Sequence, residues 1–218
     1  MPMNNGFLTA AICAALLAVG AGAFAQEEDK PEQATPLQIV KVNSEEVLAI
    51  LRSEELAGDE NKAERRRQFN ETVTDKFDWP AIAQHGLGVH WRNITDQQRE
   101  EFTPLFRRLL LQVYFRRLNL HAVDAKVTYV KEEVEDDRAT VYTVAEKNGV
   151  ETPIDYLMRG QELKEGEEGL PWLIYDVKVE GVSLLLNYRE QFNEIVVSSG
   201  FDQLMSRLKK KVEKGDGE

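Results

Sequence analysis

The sequence predicts an α+β fold: a four-stranded antiparallel curved sheet with helices before and after it. Two changes of rhythm carry that expectation. From Leu37 to Tyr114, and again after Ser183, apolar residues return every three or four positions, the period of a helix face. Between Ala125 and Val179 they alternate, the period of a strand. The connections between the alternating runs are short, and short connections join antiparallel neighbours.

The elements follow in order. Leu37 to Arg52 reads as a helix with Val40, Val47, Ile50 and Leu51 near one face. Gly58-Asp59 breaks it, and Asp59 is the expected cap of a second helix that carries Arg65, Arg66 and Arg67 on a solvated face beside Phe69, Val73 and Phe77. Asp78 before Trp79-Pro80 places an acid at an N-cap and proline in the first turn, with Gly86 or Gly88 as the stop. Thr95 and Gln98 make a capping box. Pro104 predicts a kink or break, because proline removes a helical hydrogen bond and crowds the preceding turn. Phe102, Leu105, Phe106, Leu109, Leu110, Val113 and Tyr114 then form the cleanest amphipathic stripe in the chain.

The strands are marked by Val127 and Tyr129; by Ala139, Val141, Thr143 and Ala145; by Ile154, Tyr156 and Met158; and by Trp172 to Val179. An acidic turn (EEVEDD) joins the first pair. Asn148-Gly149, a strong hairpin signal, joins the second, and the charged run GQELKEGEEGLP joins the third. Ser183 is placed to cap a helix reaching Val196. After Ser198-Ser199-Gly200, Phe201, Leu204, Met205, Leu208 and Val212 stripe a last helix.

Bulk composition narrows the function classes. The first 25 residues are uncharged, rich in alanine and leucine, and end Ala23-Phe24-Ala25, the pattern of a secretory leader cleaved after Ala25. An uncleaved anchor is the alternative, since the α-amine is the one positive group before the apolar run. Residues 26–36, QEEDKPEQATP, read as a frayed arm, residues 37–214 as a single domain, and 215–218 as a tail. The lone Cys13 lies inside the leader, so the exported domain has no disulfide and depends on its own core. The 38 acidic and 27 basic residues give a net charge of −11, which disfavours nonspecific adhesion to nucleic acid or anionic membranes.

Chemistry-bearing residues are few. His85 and His90 stand five apart across two glycines, a spacing suited to neither a helical metal pair nor a zinc finger, and His121 ends a helix where a cation meets exposed carbonyls. Asp155 and Asp176 sit on strands among apolar neighbours. Alternation points both outward; a buried catalytic base acting on an apolar small molecule is the alternative. No phosphate loop or nucleophile elbow is present. What remains is aromatic: Tyr129, Tyr142, Tyr156, Trp172, Tyr175 and Tyr188 crowd the sheet and its exit. A sheet with helices on one curved face is a cradle, and periodicity alone leaves it either filled or hollow.

Five segments carry a resemblance. FDWPAIAQHGLGVHW, TDQQREEFTPLFRRLLLQVY, PIDYLM, WLIYDVKVEGVSLLLNYREQF and GFDQLMSRL, in that order between about Leu37 and Leu208, resemble the MlaC or toluene-tolerance auxiliary family, the periplasmic phospholipid-binding component of the Mla lipid-transport system. The most specific pieces are Tyr175-Asp176-Val177, Glu180 to Leu184, Asn187-Tyr188-Arg189 and Phe192. The resemblance implies a hollow cradle that shields acyl chains and leaves the headgroup near solvent. It implies no enzyme activity and no cofactor, phospholipid being cargo. The implied partners are an inner-membrane MCE-domain/ABC transporter complex and an outer-membrane lipoprotein–porin complex. A lipid-free adaptor bridging envelope complexes is a further alternative.

Given a hollow cradle, alternation and helical phase line it with Leu109 and Val113 from the long helix; Val127, Tyr129, Val141, Thr143, Ile154, Tyr156, Trp172, Ile174 and Val177 from the sheet; and Leu185, Tyr188 and Phe192 from the helix that follows. Arg107, Arg108, Arg116 and Arg117 read as a solvated face, with contact to a headgroup or partner as the alternative.

Overall fold

The computed structural model describes residues 34–161 and 171–216, all within one compact unit, Gln33–Glu218. The expected leader, most of the expected arm, the centre of the charged loop before Trp172, and the last two residues lie outside the described residues. The order is α1 (Pro36–Arg52), α2 (Lys62–Thr74), α3 (Trp79–Leu87), a 3-10 turn (Gly88–Asn93), α4 (Asp96–His121), β1 (Lys126–Glu135), β2 (Arg138–Lys147), β3 (Val150–Gly160), β4 (Trp172–Val179), β5 (Val182–Ser183), α5 (Leu184–Ser199) and α6 (Phe201–Asp216). The sheet is an antiparallel meander in that strand order. It has five strands instead of the expected four, because Glu180 (φ 51°) and Gly181 (φ 77°) make a tight turn that returns Val182 and Ser183 to pair with β4.

Local chemistry sets most boundaries. Asp78 accepts the backbone N–H of Ala81, and Gly88, at φ 58°, ends α3. Thr95 and Gln98 form the reciprocal capping box of α4. Ser183 accepts from the N–H of Leu186 at the start of α5. Asn148 and Gly149 both take positive φ in the two-residue turn between β2 and β3.

Several expectations are corrected. Pro36 belongs to α1, whose own capping box is built from Thr35 and Gln38. Asn61, not Asp59, precedes α2, with no side-chain cap bond. The acidic run after Val130 is strand as far as Glu135, and the turn is Asp136-Asp137 alone. Helices α5 and α6 outrun their predicted ends, to Ser199 and Asp216.

Pro104 breaks nothing: α4 is one helix of 26 residues. The donor that proline lacks would serve the carbonyl of Glu100, and both residues are on the exposed side where water can take its place. On the opposite side Phe102 and Phe106 are fully buried and hold the helix in place.

Three apolar clusters organise the interior. The largest joins α3, α4, α5 and α6 around Phe102, Phe106 and Phe192, with ring centroids 5.1–5.8 Å apart and Tyr188 edge-on to Phe106 at 5.3 Å. The second sets Ile39 and Val40 of α1 on Ala139, Val141, Met158 and Ile174 of the sheet. The third wedges Phe69 and Val73 of α2 between Val47 and Leu51 of α1 and Phe115 of α4. The segment before α3 is stitched to β4, with the N–H of Asp78 donating to the carbonyl of Ile174 (2.9 Å) and that of Ile174 to Lys76 (2.9 Å). The buried Asp78 carboxylate also pairs with Arg159 of β3 at 2.7 Å.

At Gly86, α3 comes close against α4. A Cβ there would lie 2.6 Å from Cε1 of Phe106, whose ring is fixed by three aromatic neighbours. Gly86→Ala is therefore expected to destabilise the fold by about 1–3 kcal/mol despite alanine's better helix propensity, read as a lower urea midpoint. An unchanged or raised midpoint would show that the α3–α4 contact has slack.

A candidate ligand cavity between sheet and helix

By register, Val127, Tyr129, Val141, Thr143, Ile154, Tyr156, Trp172, Ile174 and Val177 all share one face of the sheet, since Tyr129 pairs with Thr143, Thr143 with Ile154, Val141 with Tyr156 and Tyr156 with Val177. That face is not uniformly covered. The first half of α1 lies on the part built from Ala139, Val141, Met158 and Ile174. Beyond it, towards the β2–β3 hairpin, the sheet meets no such helix, and a cavity of about 270 Å³ opens.

Each wall has its own source. The sheet contributes Val127, Ala145, Ile154, Tyr156, Val177 and Val179. Across the gap α4 presents Leu110, Leu111, Tyr114 and Leu118, a set repeating at three, four and four on one helix face. Val47 and Leu48 of α1 with Phe69 and Val73 of α2 close one end. Trp79, Ile82, Tyr175, Leu184 and Leu185 close the other.

Asp176 is the one carboxylate among the lining residues, and no lysine or arginine is among them. The Asp176 side chain is tied down by its own Val177 N–H (2.8 Å), the Ser183 hydroxyl (2.5 Å) and the Leu185 N–H (3.4 Å). It fastens β4 to the start of α5. The tyrosines add no charge, because burial raises the hydroxyl pKa of both Tyr114 and Tyr156. Such a wall offers dispersion contact and water exclusion with few hydrogen bonds, which suits an apolar guest.

Of the fourteen residues expected to line a cavity, Val127, Ile154, Tyr156, Val177 and Leu185 do so. The other nine are placed elsewhere. Val141 and Ile174 are fully buried beneath α1, with Tyr129 and Trp172 packed against that cluster. Thr143 is buried and donates its hydroxyl to the carbonyl of Ile154 at 2.9 Å. Leu109, Val113, Tyr188 and Phe192 belong to the cluster among the helices. The stripe on α4 is broad enough to serve two surfaces, and the cavity takes the side one position round from Leu109 and Val113.

The lining residues that sequence reasoning passed over include Leu110 and Tyr114, both in the predicted stripe, and Phe69 and Val73, both assigned to a helix face. Asn43, Ser44 and Leu48 gave no signal of their own.

Asp155 and two of the three histidines are accounted for by their surroundings, while the side chain of His121 lies outside the described residues. Asp155 pairs with Tyr142 on the opposite face of the sheet from Ile154 and Tyr156, away from the cavity. His85 packs edge-on to Tyr175 at 5.4 Å, and His90 bonds the Asn193 amide oxygen at 2.9 Å.

Fold and cavity together define the class: an α+β cradle holding a largely apolar hollow, with one tied-down carboxylate in its wall, between its sheet and its longest helix. The chain belongs to the MlaC family, whose model (MlaC protein) matches residues 41–210. Among solved structures it is similar to a phospholipid-binding protein from Ralstonia solanacearum determined in complex with a phospholipid. That likeness has a TM-score of 0.71 at 21% identity and covers 84% of this chain and 99% of the other. A search of curated proteins finds no match.

Two outcomes test the site. Ala145→Trp should fill the cavity from the sheet side, abolishing the fluorescence gain of a small apolar dye while leaving the circular dichroism spectrum intact; undiminished dye binding would show that the space is not the one that takes up apolar guests. His85 has its pKa lowered from 6.5, by burial first and by the nearby Arg189 charge second. The unfolded chain therefore takes up that proton more readily, so the contribution is fully present above about pH 6.5 and fades as the pH falls through the lowered value. Urea midpoints measured between about pH 5.5 and 7 should decline less on acidification in His85→Gln than in the wild type. Parallel slopes would remove His85 from the account.

Proposed function

We propose that the protein is a periplasmic phospholipid carrier, holding acyl chains in the cavity between α4 and the sheet while the headgroup stays near solvent. It exchanges lipid with an inner-membrane MCE-domain/ABC transporter complex and an outer-membrane lipoprotein–porin complex. The observation that carries the proposal is a cavity lined from almost every element of the fold by apolar and neutral side chains, Asp176 excepted. Family membership, the leader-like first 25 residues and the fold shared with a phospholipid-binding protein support it.

The physics of the task matches the site. Moving a two-chain lipid into water exposes methylenes worth about 0.8 kcal/mol each, a barrier on the order of 20 kcal/mol. A cavity that replaces bilayer contacts with protein contacts removes much of that cost, and no bond need be broken. No helix among the described residues is long and apolar enough to cross a membrane, in keeping with a carrier that travels between bilayers. The net charge of −11 opposes indiscriminate adsorption to anionic membranes, leaving docking partners to choose where lipid is taken up and released.

Solvent extracts of the protein purified from its native envelope should contain phospholipid at near one molecule per chain by mass spectrometry. Protein that is consistently empty, and that takes no lipid from vesicles, would refute the proposal.

A further inference from the structure

Cations are outnumbered in this chain, and most of the arginines with defined contacts are already answered. Arg67 is clamped by Glu64 and Glu71, Arg99 pairs with Asp96, Arg159 with Asp78 and Arg138 with Asp137. Arg52 and Arg189 donate to backbone carbonyls. Arg117 differs. Among the described residues its one partner is the ring of Tyr114, 5.9 Å from the guanidinium carbon.

That ring belongs to the cavity wall, while Arg117 itself is exposed. The guanidinium therefore stands where the wall of α4 meets solvent, lying over an aromatic ring with its N–H groups unclaimed by any carboxylate among the described residues. Its positive charge opposes the rise that burial imposes on the hydroxyl pKa of both Tyr114 and Tyr188. Asp176 acts on the same Tyr114 with opposite sign, but its carboxylate is occupied by Ser183 and the N–H of Leu185. Arg138 also lies over a wall tyrosine, Tyr175, at 5.2 Å, yet its charge is shared with Asp137.

From this placement we infer that Arg117 is the anion-reading residue of the cavity, donating to the phosphodiester of a lipid whose chains lie against Tyr114 and the neighbouring wall. The inference rests on the carrier function proposed above and adds to it a source of selectivity. An apolar wall grips hydrocarbon whatever its headgroup, so it cannot separate a phospholipid from an uncharged diacylglycerol with the same chains. A planar guanidinium can, because its paired N–H groups match two phosphate oxygens. On a protein of net charge −11, such a cation also offsets the repulsion an anionic lipid meets at the mouth.

The experiment is competitive loading of full-length wild type, Arg117→Gln, Arg117→Glu and the exposed control Arg92→Gln from vesicles containing dioleoylphosphatidylglycerol and labelled dioleoylglycerol, with circular dichroism to verify the fold. Wild type and Arg92→Gln should favour the phospholipid. Arg117→Gln should lose about tenfold of that preference, the worth of one charge-assisted hydrogen bond, and Arg117→Glu more, while uptake of dioleoylglycerol stays at the wild-type level. A preference unchanged in both Arg117 variants would overturn the inference and leave the carrier function standing. Wild type that takes up neither lipid would overturn both. Inorganic phosphate at millimolar concentration should leave loading unaltered; displacement of the lipid preference by phosphate alone would identify Arg117 as a site for the free ion and overturn the assignment to the headgroup.

Discussion

The structure depends on one constraint: helix α4 is anchored through Phe102 and Phe106 and again through Phe115, while one of its faces stands clear of the sheet. The aromatic contacts of Phe102 and Phe106 with Phe192, and of Phe106 with Tyr188, fix the early turns of α4 against α5, and the close approach at Gly86 fixes them against α3. Further along, Phe115 is held by Phe69 of α2 at 5.4 Å. Between and just past those fastenings, Leu110, Leu111, Tyr114 and Leu118 line the hollow across from the strands. Leaving such surfaces apart forfeits dispersion and burial energy, and a fold accepts that loss only when the supports on either side are strong enough to hold the gap.

Helix α1 divides the sheet's inner face between two tasks. Where Ile39 and Val40 meet Val141, Met158 and Ile174, the face is an ordinary core that secures the fold. From Asn43 to Leu48 the helix walls the hollow instead, and the sheet supplies Val127, Ala145, Ile154 and Val179 to it. Stability and vacancy are therefore written on one sheet in adjacent rows. The β4–α5 junction closes the arrangement: Glu180-Gly181 reverses the chain, Ser183 caps α5, and Asp176 ties the two together beside Leu184 and Leu185.

Much of the fold was legible because it is encoded locally. Caps at Asp78, Thr95 and Ser183 depend on side chains reaching their own backbone, and the Asn148-Gly149 turn on conformations those residues tolerate. The register puts all nine sheet residues on a common face: alternation accounts for eight, and the register shift beside Leu157 and Met158 brings Val177 round to join Trp172 and Ile174. Alternation is silent, however, on which part of that face another helix will cover, so Val141, Ile174, Tyr129 and Trp172 were assigned to the hollow when α1 packs over their part of the sheet. Phase on α4 had the same weakness, since a stripe wide enough to meet two surfaces does not say which edge meets which. Pro104 misled for a different reason: the rule concerns a lost hydrogen bond, and its cost shrinks where the orphaned carbonyl faces water and the opposite face is locked by Phe102 and Phe106.

The most direct test of the central claim is a crystal structure of the protein as purified, without added ligand. Elongated density running between Tyr114 and Leu118 on α4 and Ile154 and Val179 on the sheet, with the walls held apart, is the result this account predicts. Leu110, Tyr114, Ile154 and Tyr156 in mutual contact across a collapsed and filled interior would contradict it.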